Sequence, residues 1–346
     1  MKSVLLSFAS LLLLAGAAFA GITQGEIGGA KYMIATPEKW QGKLVLIAHG
    51  YRITDSPLDA GFDTKDAFST GMLEKGWAIA STSYRRNGWI VEDAILDLRA
   101  LRDHVAKEHG EIDRCLLVGS SMGGLIGTLI AEGALDHVDG VVAIGAYLGN
   151  EERDGFNPTI TFKPASPIIY LTNETELDHP KHYRQQAGAE RTALWEIKRS
   201  GHCNVSDLER LNAMLALNDW IDGKPIEKER DGTVPPPVRE STATKVDGGL
   251  SGKITVVSES WGNLTSDLVG ADLETLGLKI GDKAQVKNGD KTLPVSVVRY
   301  WSDAKEGEAA IYVTPKGWVG IVTHGGRAVD SLGVKVGDRV TLSSAR

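Results

Sequence analysis

The stretch that decides the fold of this chain is Gly119-Ser120-Ser121-Met122-Gly123-Gly124. It fits the pattern Gly-x-Ser-x-Gly, follows the apolar run Cys115–Val118 and opens a helix-like run from Leu125 to Ala134. At such a strand-to-helix turn the serine is held in a strained conformation, which small neighbours make sterically feasible. Its hydroxyl then stands above the sheet, at the positive end of the helix. The pattern predicts that Ser121 is a nucleophile; the alternative is a glycine-rich turn with an incidental serine.

Short apolar runs alternate with helix-period segments from Lys43 to about Gly223, which predicts an α/β fold with a mostly parallel sheet and helices on both faces. Runs that are apolar throughout are typical of strands buried on both faces. Ser206 to Glu209 has the pattern of a capping box before the last helix. The predicted strands are Leu44–Ala48, Ala78–Thr82, Cys115–Val118, Gly140–Ile144, Ile168–Leu171 and Leu194–Ile197.

A serine nucleophile needs a general base, normally histidine, and in this arrangement the chain order is serine, acid, histidine. The histidines after Ser121 are His137, His179, His182, His202 and His324. Only His202 follows a strand across a short loop and precedes a capped helix, which places it at the carboxyl edge of the sheet. We therefore predict His202 as the base; a surface-loop histidine is the other interpretation.

The acid that orients the histidine is expected just after the strand Ile168–Leu171, where it fixes the tautomer and stabilises the imidazolium. Three carboxylates follow that strand: Glu174, Glu176 and Asp178. We prefer Glu176, which stands nine positions after Pro167. Glu174 and Asp178 remain alternatives. The other interpretation is that all three are solvated surface carboxylates without a role in the site.

Acyl transfer also needs donors for an oxyanion. The backbone N–H of Met122, directly after the nucleophile, is the first predicted donor. The loop His49-Gly50-Tyr51 follows the strand Leu44–Ala48, and the N–H of Tyr51 is the second predicted donor. His49 precedes the serine, so we expect it to be a structural loop residue. No cofactor and no metal ion are expected.

Residues 31–223 resemble the α/β-hydrolase family in the His-Gly pair after a strand, the serine turn, an acid after Pro167 and Gly201-His202. The resemblance implies hydrolysis of esters, less often amides, through an acyl-enzyme on the serine. Many members insert a lid domain where this chain has only Gly145 to Pro167, so we expect an open site for a small-molecule or polymeric ester. The alternatives are a serine peptidase or amidase, or a non-catalytic binding protein on a hydrolase scaffold.

The character of the chain changes after residue 223. Residues 224–251 are polar and contain Pro235-Pro236-Pro237, which predicts a linker. Residues 252–346 contain short β-type runs, which predict a small all-β domain. That domain contains an echo, Leu276–Asp282 against Leu332–Asp338, in which each Gly-Asp pair predicts a turn that leads into a strand.

The β domain resembles the C-terminal domain of the S-adenosylmethionine hydroxide adenosyltransferases in Trp261-Gly262-Asn263-Leu264 and Gly325-Gly326-Arg327-Ala328. That family's reaction resides in its N-terminal domain, so its activity does not carry over. For this domain we prefer a packing or docking role. The alternative is that Asn263 and Arg327 bind a purine. Because every predicted catalytic residue precedes the linker, we expect a chain that ends near Asp231 to fold and to cleave a small soluble ester with little change in kcat, without this domain. The domain would serve a large or immobilised substrate, or assembly into oligomers.

Residues 1–20 have the pattern of a signal peptide: Lys2, an apolar run from Val4 to Ala15, and Ala18-Phe19-Ala20. We expect cleavage near Ala20 and a secreted or periplasmic protein, since the apolar run is too short to span a bilayer. The net charge of -7 argues against a nucleic-acid partner. Cys115 and Cys203 are expected at opposite edges of the sheet, too far apart for a disulfide.

Overall fold

The computed structural model describes residues 19–149, 158–259 and 261–345. Residues 1–18 of the predicted signal peptide lie outside this part of the chain, as do residues 150–157 of the connection after Gly145. Among the described residues, no helix combines the length and the apolar character needed to cross a bilayer.

The N-terminal domain is built on one sheet. Its strands are β1 (Phe19–Ile27), β2 (Ala30–Pro37), β3 (Lys43–Ala48), β4 (Trp77–Thr82), β5 (Arg114–Ser120), β6 (Gly140–Ile144), β7 (Ile168–Asn173), β8 (Thr192–Ile197) and β9 (Glu229–Asp231). Their order is β1-β2-β4-β3-β5-β6-β7-β8-β9. The hairpin β1–β2 runs antiparallel to its neighbour, whereas β3 to β9 are all parallel. All six predicted strands are present, and the predicted mostly parallel sheet is confirmed.

Five helices cover the two faces of this sheet: α1 (Ala67–Glu74), α2 (Val91–His109), α3 (Met122–Leu129), α4 (Asp178–Ala187) and α5 (Asp207–Ile221). On one face α1 and α5 bury Phe68, Met214 and Leu217 against the strands. On the other face α2, α3 and α4 form a second core with Leu98, Leu125 and Tyr183 among its members. The predicted capping box is present, because the Ser206 hydroxyl accepts from the Glu209 N–H while the Glu209 carboxylate accepts from the Ser206 N–H.

The C-terminal domain is a closed barrel, so the predicted all-β domain is confirmed. Its strands are β10 (Thr244–Val246), β11 (Gly249–Val257), β12 (Leu264–Val269), β13 (Lys283–Asn288), β14 (Lys291–Val297), β15 (Ala309–Val313), β16 (Trp318–Thr323) and β17 (Arg339–Ser344), with short helices α6 (Gly270–Thr275) and α7 (Ala328–Leu332). The barrel closes because β17 pairs with both β11 and β13.

The sequence echo corresponds to two matching turns. Gly281 and Gly337 have φ of 97° and 99°, a conformation that favours glycine. In the first turn the Lys279 N–H donates to the Asp282 carboxylate over 2.8 Å, and β13 begins at the next residue. In the second, the Lys335 N–H donates to Asp338 over 3.0 Å, and β17 follows. The predicted Gly-Asp turns are therefore present.

Residues 224–251 are not the free linker that their composition suggested. They hold β9, which extends the sheet, as well as β10 and the start of β11, which belong to the barrel. Beyond β9, Thr233 Oγ1 accepts from the Lys198 N–H over 2.8 Å, and the Val234 N–H donates to the Glu209 carboxylate over 2.7 Å. These elements escaped prediction because β9 and β10 are polar and largely exposed, so pairing of the backbone rather than burial of side chains defines them.

Candidate active site

Ser121 occupies the predicted strained turn between β5 and α3. Its φ of 57° and ψ of -118° lie in a region that residues other than glycine rarely adopt. A side chain at Gly119 would put Cβ 2.1 Å from the Gly123 carbonyl oxygen, and one at Gly123 would put it 2.0 Å from the Ala48 carbonyl oxygen. Only glycine fits at either position, which is why the motif needs both.

The structure brings Ser121, His202 and Glu176 together in one hydrogen-bonded chain. The Ser121 hydroxyl lies 2.7 Å from His202 Nε2, and His202 Nδ1 bonds to Glu176 Oε1. An ionised carboxylate only accepts, so Nδ1 carries the ring proton and Nε2 is left to accept from the serine. The arrangement is that of a nucleophile, its base and the group that orients the base.

The three candidate acids lie in different surroundings. Strand β7 ends at Asn173, and a short 3₁₀ turn, Glu174–Glu176, follows. This turn directs Glu176 towards the histidine with its side chain 23% exposed, whereas Glu174 and Asp178 are exposed. Of the three, the structure joins only Glu176 to His202.

The loop that carries His202 is anchored by the end of the neighbouring strand. The buried Asn173 amide donates to the carbonyl oxygens of Arg199 and Asn204, over 3.1 and 3.0 Å, and accepts from the Asn204 N–H over 2.7 Å. The Gly201 N–H donates to Thr175 Oγ1 over 3.0 Å. Strand β7 and its turn therefore fix both the acid and the two ends of the histidine loop.

The pKa values of His202 and His49 are shifted in opposite directions. The Cys203 sulfur, 3.7 Å from Nε2, and the Glu176 carboxylate raise the pKa of His202 above its usual 6.5. Burial lowers the pKa of His49 to about 4, so this ring is neutral at pH 7. The His49 ring packs on the Tyr84 ring, with centroids 4.0 Å apart. The His49 ring is therefore a buried, neutral packing group, as expected of a structural loop residue.

The two predicted oxyanion donors belong to segments that adjoin the serine. Met122 is the first residue of α3, where a backbone N–H has no acceptor within the helix. Gly50 brings the other loop close, since a Cβ there would lie 3.1 Å from Ser121 Cβ. Tyr51 follows Gly50 directly, with its side chain 40% exposed.

The remaining histidines do not join this cluster. His137 is exposed before β6, and His324 bonds through Nδ1 to the Ala304 carbonyl oxygen within the barrel. His179 and His182 line a cavity of about 340 Å³ together with Leu148, Phe162, Asp178 and Tyr183. None of the three clustered residues lines that cavity. Among the described residues, no group of His, Cys, Asp and Glu has the arrangement of a metal site.

The β domain contacts the loop that carries His202. Tyr300 follows β14, and its hydroxyl donates to the backbone carbonyl oxygen of His202 over 2.7 Å. The Tyr300 ring also covers Gly201, where a Cβ would lie 2.3 Å from Cδ1 of the ring. A salt bridge from Lys316 to Asp207, 2.9 Å long, joins the barrel to the first turn of α5. No motif marks Tyr300, and the residues lie 98 positions apart, so sequence patterns could not connect them.

The two cysteines and the residues of the barrel motifs lie outside the serine cluster or make contacts within their own domain. Cys115 and Cys203 are both free, as predicted. Arg327 donates to the Glu259 carbonyl oxygen and to the Asp330 carboxylate, so it serves contacts inside the barrel. Trp261 in the same region is 44% exposed.

Comparisons with known proteins match the two domains of the chain to two different families. Residues 83–189 match the family model described as serine aminopeptidase, S33, and residues 252–341 match the SAM hydroxide adenosyltransferase C-terminal domain. An o-phthalyl amidase of Xanthobacter agilis is 33% identical over 131 residues, which are 35% of this chain. The match spans only 27% of the length of that curated relative.

Solved structures resemble part of the chain. An esterase of Pyrococcus furiosus has a TM-score of 0.42 at 13% identity, over 59% of this chain and 88% of that one. An acylaminoacyl peptidase of Pyrococcus horikoshii has a TM-score of 0.46 at 12% identity, over 60% of this chain and 42% of that one.

Proposed function

We propose that this protein, a hydrolase whose α/β-hydrolase domain is followed by a C-terminal domain of the SAM hydroxide adenosyltransferase type, cleaves carboxylic esters through an acyl-enzyme on Ser121. The observation that carries the proposal is the continuous chain of hydrogen bonds from the Ser121 hydroxyl through His202 to Glu176. Such a chain supplies the nucleophile and base that serine needs to react at neutral pH.

The proposed reaction begins with attack of Ser121 Oγ on the ester carbonyl carbon, while the hydroxyl proton passes to His202 Nε2. The Met122 and Tyr51 N–H groups receive the charge that develops on the carbonyl oxygen. Collapse breaks the bond to the alcohol oxygen, which leaves with the proton from His202. Water, deprotonated by the same imidazole, then releases the acid and restores the serine. Glu176 stays ionised throughout.

Amide hydrolysis is the second candidate, and the names of the similar proteins favour it: one relative is an o-phthalyl amidase, and the matched family model is described as a serine aminopeptidase. The same residues serve both reactions, because an amine leaving group also takes its proton from the histidine. The substrate pocket, rather than the residues that do the chemistry, separates the two activities.

The test compares one acyl group presented as a soluble aryl ester and as the matching anilide. We expect ester turnover that Ser121→Ala removes, and fluorophosphonate labelling that the same variant abolishes. Faster turnover of the anilide at equal concentration would favour the amidase. Unchanged turnover in Ser121→Ala would contradict both candidates, and labelling without any turnover would favour a binding protein on a hydrolase scaffold.

We also propose that the protein is exported and cleaved near Ala20. The support is the signal-peptide pattern of residues 1–20. The expected result is a protein outside the cytoplasm whose first residue is Gly21, as measured by intact mass. A cell-associated protein that keeps residues 1–20 would contradict the proposal.

A further inference from the structure

The peptide unit between His202 and Cys203 is held from both sides by groups of different domains. Its carbonyl oxygen accepts from the Tyr300 hydroxyl of the barrel over 2.7 Å. Its N–H, which belongs to Cys203, donates to Glu176 Oε2 over 3.3 Å. The two oxygens of Glu176 therefore contact the imidazole and the backbone of the same loop.

This peptide unit leads into a strained residue. Cys203 has a φ of 54°, in the left-handed region that residues other than glycine rarely adopt. Such a conformation persists only where surrounding contacts enforce it. The Tyr300 ring supplies one of these contacts, since it packs so closely on Gly201 that no Cβ fits there.

The hydroxyl of Tyr300 is suited to a lasting contact. The side chain is buried, with 8% of the residue exposed, and burial raises the pKa of Tyr300, so the group keeps its proton and donates at any working pH. The barrel also holds the ring from behind, because Trp301 and Tyr312 pack on it with centroid distances of 5.6 Å each.

We propose that Tyr300 is a positioning residue through which the C-terminal barrel completes the active site: it fixes the His202–Cys203 peptide and thereby holds the imidazole between Ser121 and Glu176. The inference rests on the proposed function, since it assigns the role through His202. Tyr300 need not touch substrate. It acts on the turnover step, where a displacement of about 1 Å in a reacting group costs roughly 100-fold in rate.

The test uses the full chain with three variants: Tyr300→Phe, Tyr300→Ala and the matched control Tyr312→Phe. The Tyr312→Phe variant also removes one tyrosine hydroxyl from this aromatic cluster. Among the described residues, Tyr312 makes no hydrogen bond to the N-terminal domain. Turnover of one soluble ester is measured per active site, with sites counted by fluorophosphonate titration. A loss of folded protein then lowers the site count and not kcat.

We expect Tyr300→Phe to lower kcat about fivefold to tenfold, the size of effect that one hydrogen bond gives, with KM within twofold of the wild-type value. Tyr300→Ala should lower kcat about 100-fold, because the ring contact is lost as well. The titratable groups that face His202 are Glu176 and Cys203, with Tyr300 on its backbone. Glu176 raises the pKa of His202, and a less firmly held imidazole keeps only part of that increase. The acid limb of the pH profile should therefore move to lower pH in Tyr300→Phe and stay in place in Tyr312→Phe.

Equal kcat and equal pH profiles for Tyr300→Phe and Tyr312→Phe would overturn the inference while leaving the proposed function intact. Retained turnover in Ser121→Ala would instead overturn the proposed function, and the inference with it. Equal loss of kcat in the two tyrosine variants would also overturn the inference, because it would assign the effect to the barrel's stability rather than to the contact with His202.

Discussion

Glu176 differs from its two neighbouring carboxylates in its contact with the imidazole, and this difference can be measured. Because its carboxylate fixes the tautomer of His202, Glu176→Gln should lower kcat by about 10² to 10⁴. Glu174→Gln on the same turn and Asp178→Asn at the start of α4 are the controls, and both should stay within twofold of the wild type. A larger loss in either control than in Glu176→Gln would assign the orienting role to that residue.

If His202 is the general base, as proposed, it determines how activity depends on pH. Only the neutral imidazole accepts the serine proton, so kcat/KM should rise with pH through the pKa of His202. Cys203 and Glu176 raise that pKa above 6.5, so the midpoint should lie on the alkaline side of 6.5. The measurement is kcat/KM of a soluble ester across the range in which the protein stays folded. A flat profile between about pH 5 and 8 would contradict a histidine base.

The residues of the serine cluster are accessible to sequence analysis because each follows a strand that is mostly apolar. Ser121 is marked by glycines that only that turn requires, and His202 by a loop between a strand and a capping box. Spacing alone favours Glu176 among three carboxylates, and only the structure shows its contact with His202. Tyr300 carries no such mark, because its partner is a backbone oxygen in another domain.

The turn at Ser121 leaves no room for a methyl group at Gly123. A Cβ there would lie 2.0 Å from the Ala48 carbonyl oxygen. The oxygen belongs to the backbone and the position of the Cβ is fixed by the backbone, so neither can move aside. Gly123→Ala should therefore destabilise the N-terminal domain by about 3 kcal/mol or more, or prevent folding. The control is Gly270→Ala in α6, where a Cβ would meet only Val313 at an ordinary 3.6 Å. Urea unfolding of both variants gives the comparison, and equal midpoints would contradict the clash.

At the level of elements, the sequence predicts the parallel strands β3 to β8, whose burial shows in their mostly apolar composition. The antiparallel hairpin β1–β2 lies outside the predicted set. The edge strands β9 and β10 have exposed polar side chains, and they form because backbone groups of a neighbouring strand accept and donate to them. Such pairing leaves no period in the sequence. The supposed linker was mispredicted for this reason.

The two domains are joined by a short stiff segment. Val234 is bonded to Glu209 of α5, and Arg239 donates to the Lys316 carbonyl oxygen of the barrel over 2.5 Å, so Pro235-Pro236-Pro237 lies between two fixed points. Consecutive prolines hold an extended conformation and limit the arrangements of the segment. Replacing the three prolines by glycine should lower the effective concentration of the barrel at the His202 loop.

We expect the triple Pro→Gly variant to lower kcat by about twofold to fivefold, with a larger share of the loss at high temperature, because docking then has to overcome more chain entropy. The measurement is kcat on the soluble ester, made in the wild-type and the Tyr300→Phe backgrounds. If the segment acts through Tyr300, the triple Pro→Gly change should lower kcat less in the Tyr300→Phe background than in the wild-type background. Equal losses in the two backgrounds would contradict a shared route.

The closure of the barrel by β17 has a consequence for the order of folding. Domains generally fold as units, so the segment with Ser121 and His202 can fold before the barrel has closed. The barrel closes only when Arg339–Ser344 pairs with β11 and β13. If Tyr300 positions His202 as proposed, a chain whose barrel is still open holds its nucleophile in a loosely ordered site. Hydrolytic activity then matures late, after β17 has paired.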